Sequence, residues 1–154
     1  SLWYAKNNIK DYNLINYNLD NLKSMNKAIL DLVSENNIAA MKSINLGGVA
    51  SCLAMMCFKN NIGCDLNLGP QCSDGFAIEE WLFSEAPGFI LAIDANKVER
   101  VFHKLQLYGV EHWILGNTIS EPVFKIHNIA ADTQWLNINI QDAKSIWESG
   151  YGSK

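Results

Sequence analysis

The chain has 154 residues, 49% of them hydrophobic and 18% charged, with a formal net charge of −4. This length and composition suit one folded domain spanning residues 1–154 and exclude a disordered chain. No Lys/Arg cluster interrupts the acidic balance, which argues against a nucleic-acid surface, and no apolar run reaches the ~18–20 residues of a membrane span.

The opening Ser1-Leu2-Trp3-Tyr4 carries neither a secretory signal nor an initiator Met, so the chain is expected to be an excised domain or a processed piece. Residues 1–18 are rich in Asn and Tyr without a clean period and suit an extended segment. Residues 20–36 predict a helix: Leu22, Met25, Ile29 and Val33 recur at three- and four-residue steps, and Leu30 widens the stripe. Lys23, Lys27, Asp31 and Glu35 run along a solvated face, and Asn36-Asn37 is the stop. Residues 38–44 suit a short strand. Asn45-Leu46-Gly47-Gly48 then turns into a helix over 48–59 that is apolar on most sides and so expected to be buried on most sides. A strand follows at 64–68, closed by Gly69-Pro70.

Ser73 is placed to cap a helix over 74–82, with Asp74 in its first turn. Phe83-Ser84-Glu85-Ala86-Pro87-Gly88 forms a turn, and Phe89-Ile90-Leu91-Ala92-Ile93 is a continuous apolar run of the kind found in a central strand. A helix over 95–107 buries Val98, Val101, Phe102 and Leu105, short strands are expected near 111–115, 122–127 and 135–140, and a last helix covers 141–148. The predicted architecture is α/β (α+β), a mixed sheet packed by helices.

Cys52, Cys57, Cys64 and Cys72 form no Cys-x-x-Cys pair and lack the close His that zinc ligation needs, so no metal site is expected. Free thiols of this kind point to a reducing, cytoplasmic compartment. His103, His112 and His127 accompany no nucleophile motif, and no catalytic residue is assigned. Gly47-Gly48 at a helix start exposes backbone N–H groups where the helix dipole favours an anion, which makes both glycines candidates for binding a phosphate. The plain alternative is a tight turn that needs small residues.

Two stretches carry a family resemblance. They are Lys42-Ser43-Ile44-Asn45-Leu46-Gly47-Gly48-Val49, with its apolar helix and the following Asn61-Ile62-Gly63-Cys64-Asp65, and Leu82-Phe83-Ser84-Glu85-Ala86-Pro87-Gly88. Together they resemble the C-terminal domain of the second half of phosphoribosylformylglycinamidine synthase, in the aminoimidazole ribonucleotide synthase superfamily. The family's motifs read His-Asp-x-Ser-Asp-Gly-Gly-Leu and Leu-Phe-Ser-Glu-x. The element Ile114-Leu115-Gly116-Asn117-Thr118-Ile119-Ser120-Glu121-Pro122 fits the same family. The departures are specific: Lys42, Ser43, Asn45 and Leu46 stand where the family has His, Asp, Ser and Asp.

The resemblance implies the C-terminal-domain fold of aminoimidazole ribonucleotide synthase and a parent ligase that makes formylglycinamidine ribonucleotide in purine synthesis. ATP and magnesium serve that parent and are held largely by upstream domains of the same polypeptide. A glutaminase domain or subunit supplies ammonia. No cofactor is required by this chain, which alone is expected to be inactive. Ser84 and Glu85 become candidates for lining a substrate or nucleotide cleft. The alternatives are another superfamily member, such as selenophosphate synthetase or thiamine-phosphate kinase, and a non-catalytic structural or regulatory domain.

Overall fold

Asn18 sets the start of the first helix, α1 (Leu19–Ser34), because its side-chain oxygen accepts hydrogen bonds from the amides of Asp20 and Asn21 at 2.9 and 3.4 Å. The stop is as local as the start. Asn36 adopts the left-handed conformation, φ 54°, and the Asn37 amide returns to the Leu32 carbonyl at 3.0 Å. This is a computed structural model, and it describes residues 18–68, 78–128 and 132–152. The cap expected at Ser73 and Asp74 and the segment expected at 1–17 lie outside the described residues.

The chain divides into two compact units. One holds the described residues of 18–45 and 86–114, the other those of 46–85 and 115–152. In the first, α1 and α4 (Val98–Leu107) cover an antiparallel ribbon of β1 (Ala40–Ser43) and β3 (Phe89–Ala92). A short 3-10 turn, Ala95–Lys97, leads into α4. Ala28, Ile29, Leu32, Val101 and Leu105 form the core, with Phe89, Leu91 and Ile93 packed against it. The stripe on α1 is therefore rotated from the expected one. Ala28 and Leu32 are buried, while Leu30 and Val33 are 68% and 45% exposed. A small residue at 28 lets α1 approach its neighbours closely, which spacing of large apolar residues does not reveal. Polar pairs at the rim join the two helices: Tyr108 donates to Asp31, and Lys104 pairs with Glu35. The bond to Asp31 raises the Tyr108 hydroxyl above its ordinary pKa, and the bond to Glu35 raises the Lys104 ammonium.

The second unit is a four-stranded mixed sheet in the order β4-β2-β5-β6, built from β2 (Gly63–Asn67), β4 (Gly116–Ile119), β5 (Val123–Asn128) and β6 (Thr133–Asn139). β2 runs parallel to β5, and the remaining pairs are antiparallel. Cys64, Leu66, Phe124 and Ile126 alternate onto the buried face. The helices α2 (Gly48–Phe58) and α5 (Ile140–Gly152) lie against each other, and Val49, Cys52, Leu53, Cys57 and Ile140 complete the core. α3 (Ile78–Leu82) lies beside α2.

The mixed sheet packed by helices is thus present, with a separate two-stranded ribbon that the sequence does not announce. The strand expected at 111–115 is not formed. That stretch is irregular with Trp113 and Ile114 exposed, and the strand begins instead at Gly116. Pairing with β2 decides its position. Asp65 opposes Asn117 and Leu66 opposes Gly116, and the Asp65 carbonyl lies 2.1 Å from where a Cβ on Gly116 would sit.

Candidate functional site

The glycine turn and the Ser-Glu turn, 38 residues apart in sequence, meet at the start of α2. The backbone of Gly47 is left-handed at φ 85° and that of Gly48 at φ 67°, so the chain enters the helix through two positions that disfavour a side chain. Gly48 is buried. A Cβ there would stand 2.7 Å from the Leu82 carbonyl oxygen, the Phe83 carbonyl carbon and the Ser84 carbonyl oxygen, all backbone atoms. The turn after α3 is thus packed onto the helix start, and the glycine is required by that approach.

Glu85 completes the contact. Its carboxylate accepts a hydrogen bond from the Gly47 amide at 3.1 Å. A helix start with no side-chain cap of its own receives a negative charge from a distant residue, and that charge lies where the helix dipole favours an anion. Ser51, one turn into α2, donates from its hydroxyl to the Leu46 carbonyl at 2.9 Å and secures the other side of the turn. The Ser84 amide reaches back to the Trp81 carbonyl at 3.4 Å, closing the end of α3. Ser84 and Glu85 are both half-buried.

Of the four residues singled out in the sequence, Gly47 meets Glu85 through a hydrogen bond and Gly48 meets Ser84 through backbone packing. The Gly47 amide is engaged by the protein's own carboxylate. Lys42, the one cation near the glycine turn in sequence, stands in β1 opposite Ile90, in the other unit. Among the described residues no three of His, Cys, Asp and Glu converge as a metal site would require. Neither part of this arrangement has a general sequence signal for contact. A glycine pair does not name its partner, and a Glu in a turn does not name the helix it caps.

Against known proteins, residues 12–128 match the family described as AIR synthase related protein, C-terminal domain. A probable phosphoribosylformylglycinamidine synthase, chloroplastic/mitochondrial, of Arabidopsis thaliana is 31% identical over 105 residues, covering 68% of this chain and 7% of that protein. A probable tegument protein antigen 3 of Alcelaphine herpesvirus 1 is 24% identical over 126 residues, covering 82% of this chain and 9% of that protein. Structures of Thermotoga maritima PurL share the fold. The PurLQS structure has a TM-score of 0.75 at 18% identity, covering 85% of this chain and 23% of that one. PurL complexed with ATP has a TM-score of 0.70 at 20% identity, covering 77% and 21%. The chain therefore spans less than a quarter of the length of each of these proteins.

Proposed function

The chain belongs to the AIR synthase related protein C-terminal domain family, and on that premise we propose that it is the C-terminal domain of the second half of a formylglycinamidine ribonucleotide synthase. The reading treats residues 1–154 as one domain that forms a wall of a substrate or nucleotide cleft. The observation that carries it is the family match over residues 12–128, and the resemblance of the PurL fold supports it.

In the parent, ATP phosphorylates the formamide oxygen and ammonia from a glutaminase then displaces phosphate. Nucleotide use is supported by the Thermotoga protein complexed with ATP. Magnesium, the glutaminase and the upstream domains enter through the family resemblance. Cys52, Cys57 and Cys64 are buried and form no disulfide, which fits a cytoplasmic setting. On this reading the chain's own residues hold no nucleotide and perform no step. Glu85 stands at the Gly47 amide, and a phosphate brought there would meet a carboxylate. The helix start at Gly47-Gly48 takes an oxyanion only with Glu85 displaced. Glu85 and Ser84 instead fix the shape of the wall by holding the turn after α3 to α2.

A second reading has its own support. The herpesvirus relative bears the name of a tegument protein, and Lys42, Ser43, Asn45 and Leu46 replace the polar residues of the family motif. That combination suits a non-catalytic structural domain. An assay of the full-length parent separates the two. Conversion of formylglycinamide ribonucleotide with ATP and ammonia, lost when residues 1–154 are deleted, supports the synthase. A purified, folded parent without turnover transfers the case to the structural reading.

A further inference from the structure

α4 ends at a surface hollow that the amidation reading does not use. The chain leaves the helix through Gly109, left-handed at φ 63°, and the amides of Gly109 and Val110 return to the carbonyls of Gln106 and Leu105, each at 2.9 Å. This turn and the segment after it enclose an open hollow of about 520 Å³ lined by Gln106, Gly109, Val110, Glu111, His112 and Trp113. The imidazole in that lining is held in place. His112 Nδ1 lies 2.8 Å from the Val110 carbonyl, which can only accept, so Nδ1 carries the proton and Nε2 of the neutral ring is an acceptor. Phe102 meets the same ring in a T-shaped contact with centroids 4.5 Å apart. Trp113 is 60% exposed, although it is the largest side chain of the hollow. Among the described residues, no backbone–backbone hydrogen bond engages Glu111, His112, Trp113 or Ile114.

We propose that this hollow receives the guanidinium group of an arginine presented by an extended segment of a partner protein. Charge points to a cation. The lining holds one carboxylate, Glu111, and neither lysine nor arginine. It stands at the C-terminal end of α4, where the helix dipole favours positive charge, and the basic residue of that last turn, Lys104, is already paired with Glu35. The donor pattern points to a guanidinium. The Glu111 carboxylate, the Gln106 amide oxygen and His112 Nε2 are separate acceptors, which a planar fork of N–H donors meets together and a compact ammonium does not. The exposed indole of Trp113 offers the ring face on which a guanidinium stacks best. Leu107 and Ile114, both exposed, offer apolar contact to the residues on either side of the arginine. The free main chain of Glu111–Ile114 can pair with the incoming segment as an added strand. No step of amidation passes through this surface, so the proposal stands apart from the synthase reading.

The test is an NMR titration of the isotope-labelled chain with acetyl-Leu-Arg-Leu-amide, and with the same peptide carrying lysine or citrulline in place of arginine. The Trp113 indole signal is identified by its loss in Trp113→Phe. The arginine peptide should produce saturable shifts at that indole N–H and at the backbone amides of Gly109 to Trp113. The lysine peptide should bind at least about threefold more weakly, and the citrulline peptide, which keeps the shape but not the charge, should give no saturable shift. Glu111→Gln should weaken the arginine peptide by about tenfold; Glu111 is exposed, and an otherwise unchanged spectrum reports an intact fold. The proposal is overturned if the unsubstituted chain responds equally to all three peptides, shows no saturable shift with the arginine peptide, or shifts only outside residues 106–114. None of these results depends on a variant folding. Free argininamide binding as tightly as the peptide overturns the protein segment as the source of the guanidinium.

Discussion

Replacing Gly48 by Ala adds one methyl group at the point where the turn after α3 meets α2. The new Cβ would stand 2.7 Å from Leu82 O, Phe83 C and Ser84 O. Those are backbone atoms of a turn held by the Glu85 hydrogen bond and by the closing turn of α3, so no flexible side chain can yield. The left-handed backbone at φ 67° adds a second cost for any L side chain. Left-handed strain of ~1–2 kcal/mol and overpacking of ~1–3 kcal/mol give a loss of about 2–5 kcal/mol. Against a total stability of ~5–15 kcal/mol, that is a large fraction. At ~2–4 °C per kcal/mol for a chain of this size, the midpoint should fall by at least about 4 °C. Urea unfolding of the two proteins side by side, followed by tryptophan fluorescence, measures the difference. The sign is diagnostic, because Gly→Ala at a compatible position stabilises by ~0.4–1 kcal/mol through the unfolded chain. A Gly48→Ala protein as stable as the parent would refute the close approach of the two turns.

Glu85→Ala should cost about 0.5–2 kcal/mol as the loss of a helix cap, and Glu85→Gln, which keeps an acceptor but loses the charge, about 0.3–1 kcal/mol; thermal melts at low and high salt should shrink only the difference between Glu and Gln. Leu32→Ala should cost ~2–5 kcal/mol in chemical denaturation, while Leu30→Ala on the exposed face should stay within about 1 kcal/mol. The raised pKa of Tyr108 gives a contribution fully present below its ordinary value of 10.0 and lost as pH rises through the higher folded value. Tyr108→Phe should therefore flatten the alkaline loss of stability seen in melts from pH 8 upward, and an unchanged slope would count against the bond to Asp31.

The helices were legible because their signals are local. The apolar period of α1 and α4 and the Asn36-Asn37 stop each act within a few residues. α2 was legible for another reason: it is apolar all round, and its residues are buried or half-buried along its whole length. The failures are all non-local. Glu111-His112-Trp113-Ile114 has the composition of a strand but no partner backbone, whereas the weak-looking Gly116-Asn117-Thr118-Ile119 pairs with β2. The parallel pairing of β2 with β5 and the separation of the β1–β3 ribbon depend on contacts far apart in sequence. The candidate residues Gly47, Gly48, Ser84 and Glu85 were legible from their motifs, but their mutual contact was not. Nothing in a glycine turn specifies that its amide will bind a carboxylate 38 residues later.

The central claim is that this chain shapes a cleft and does not by itself supply the machinery of amidation. Its most direct test is a turnover assay of the isolated chain with ATP, magnesium, formylglycinamide ribonucleotide and ammonia, repeated with the chain joined to its upstream domains. The account predicts no amidine from the isolated chain and amidine formation once the polypeptide is whole. Amidine formed by the isolated chain would contradict it.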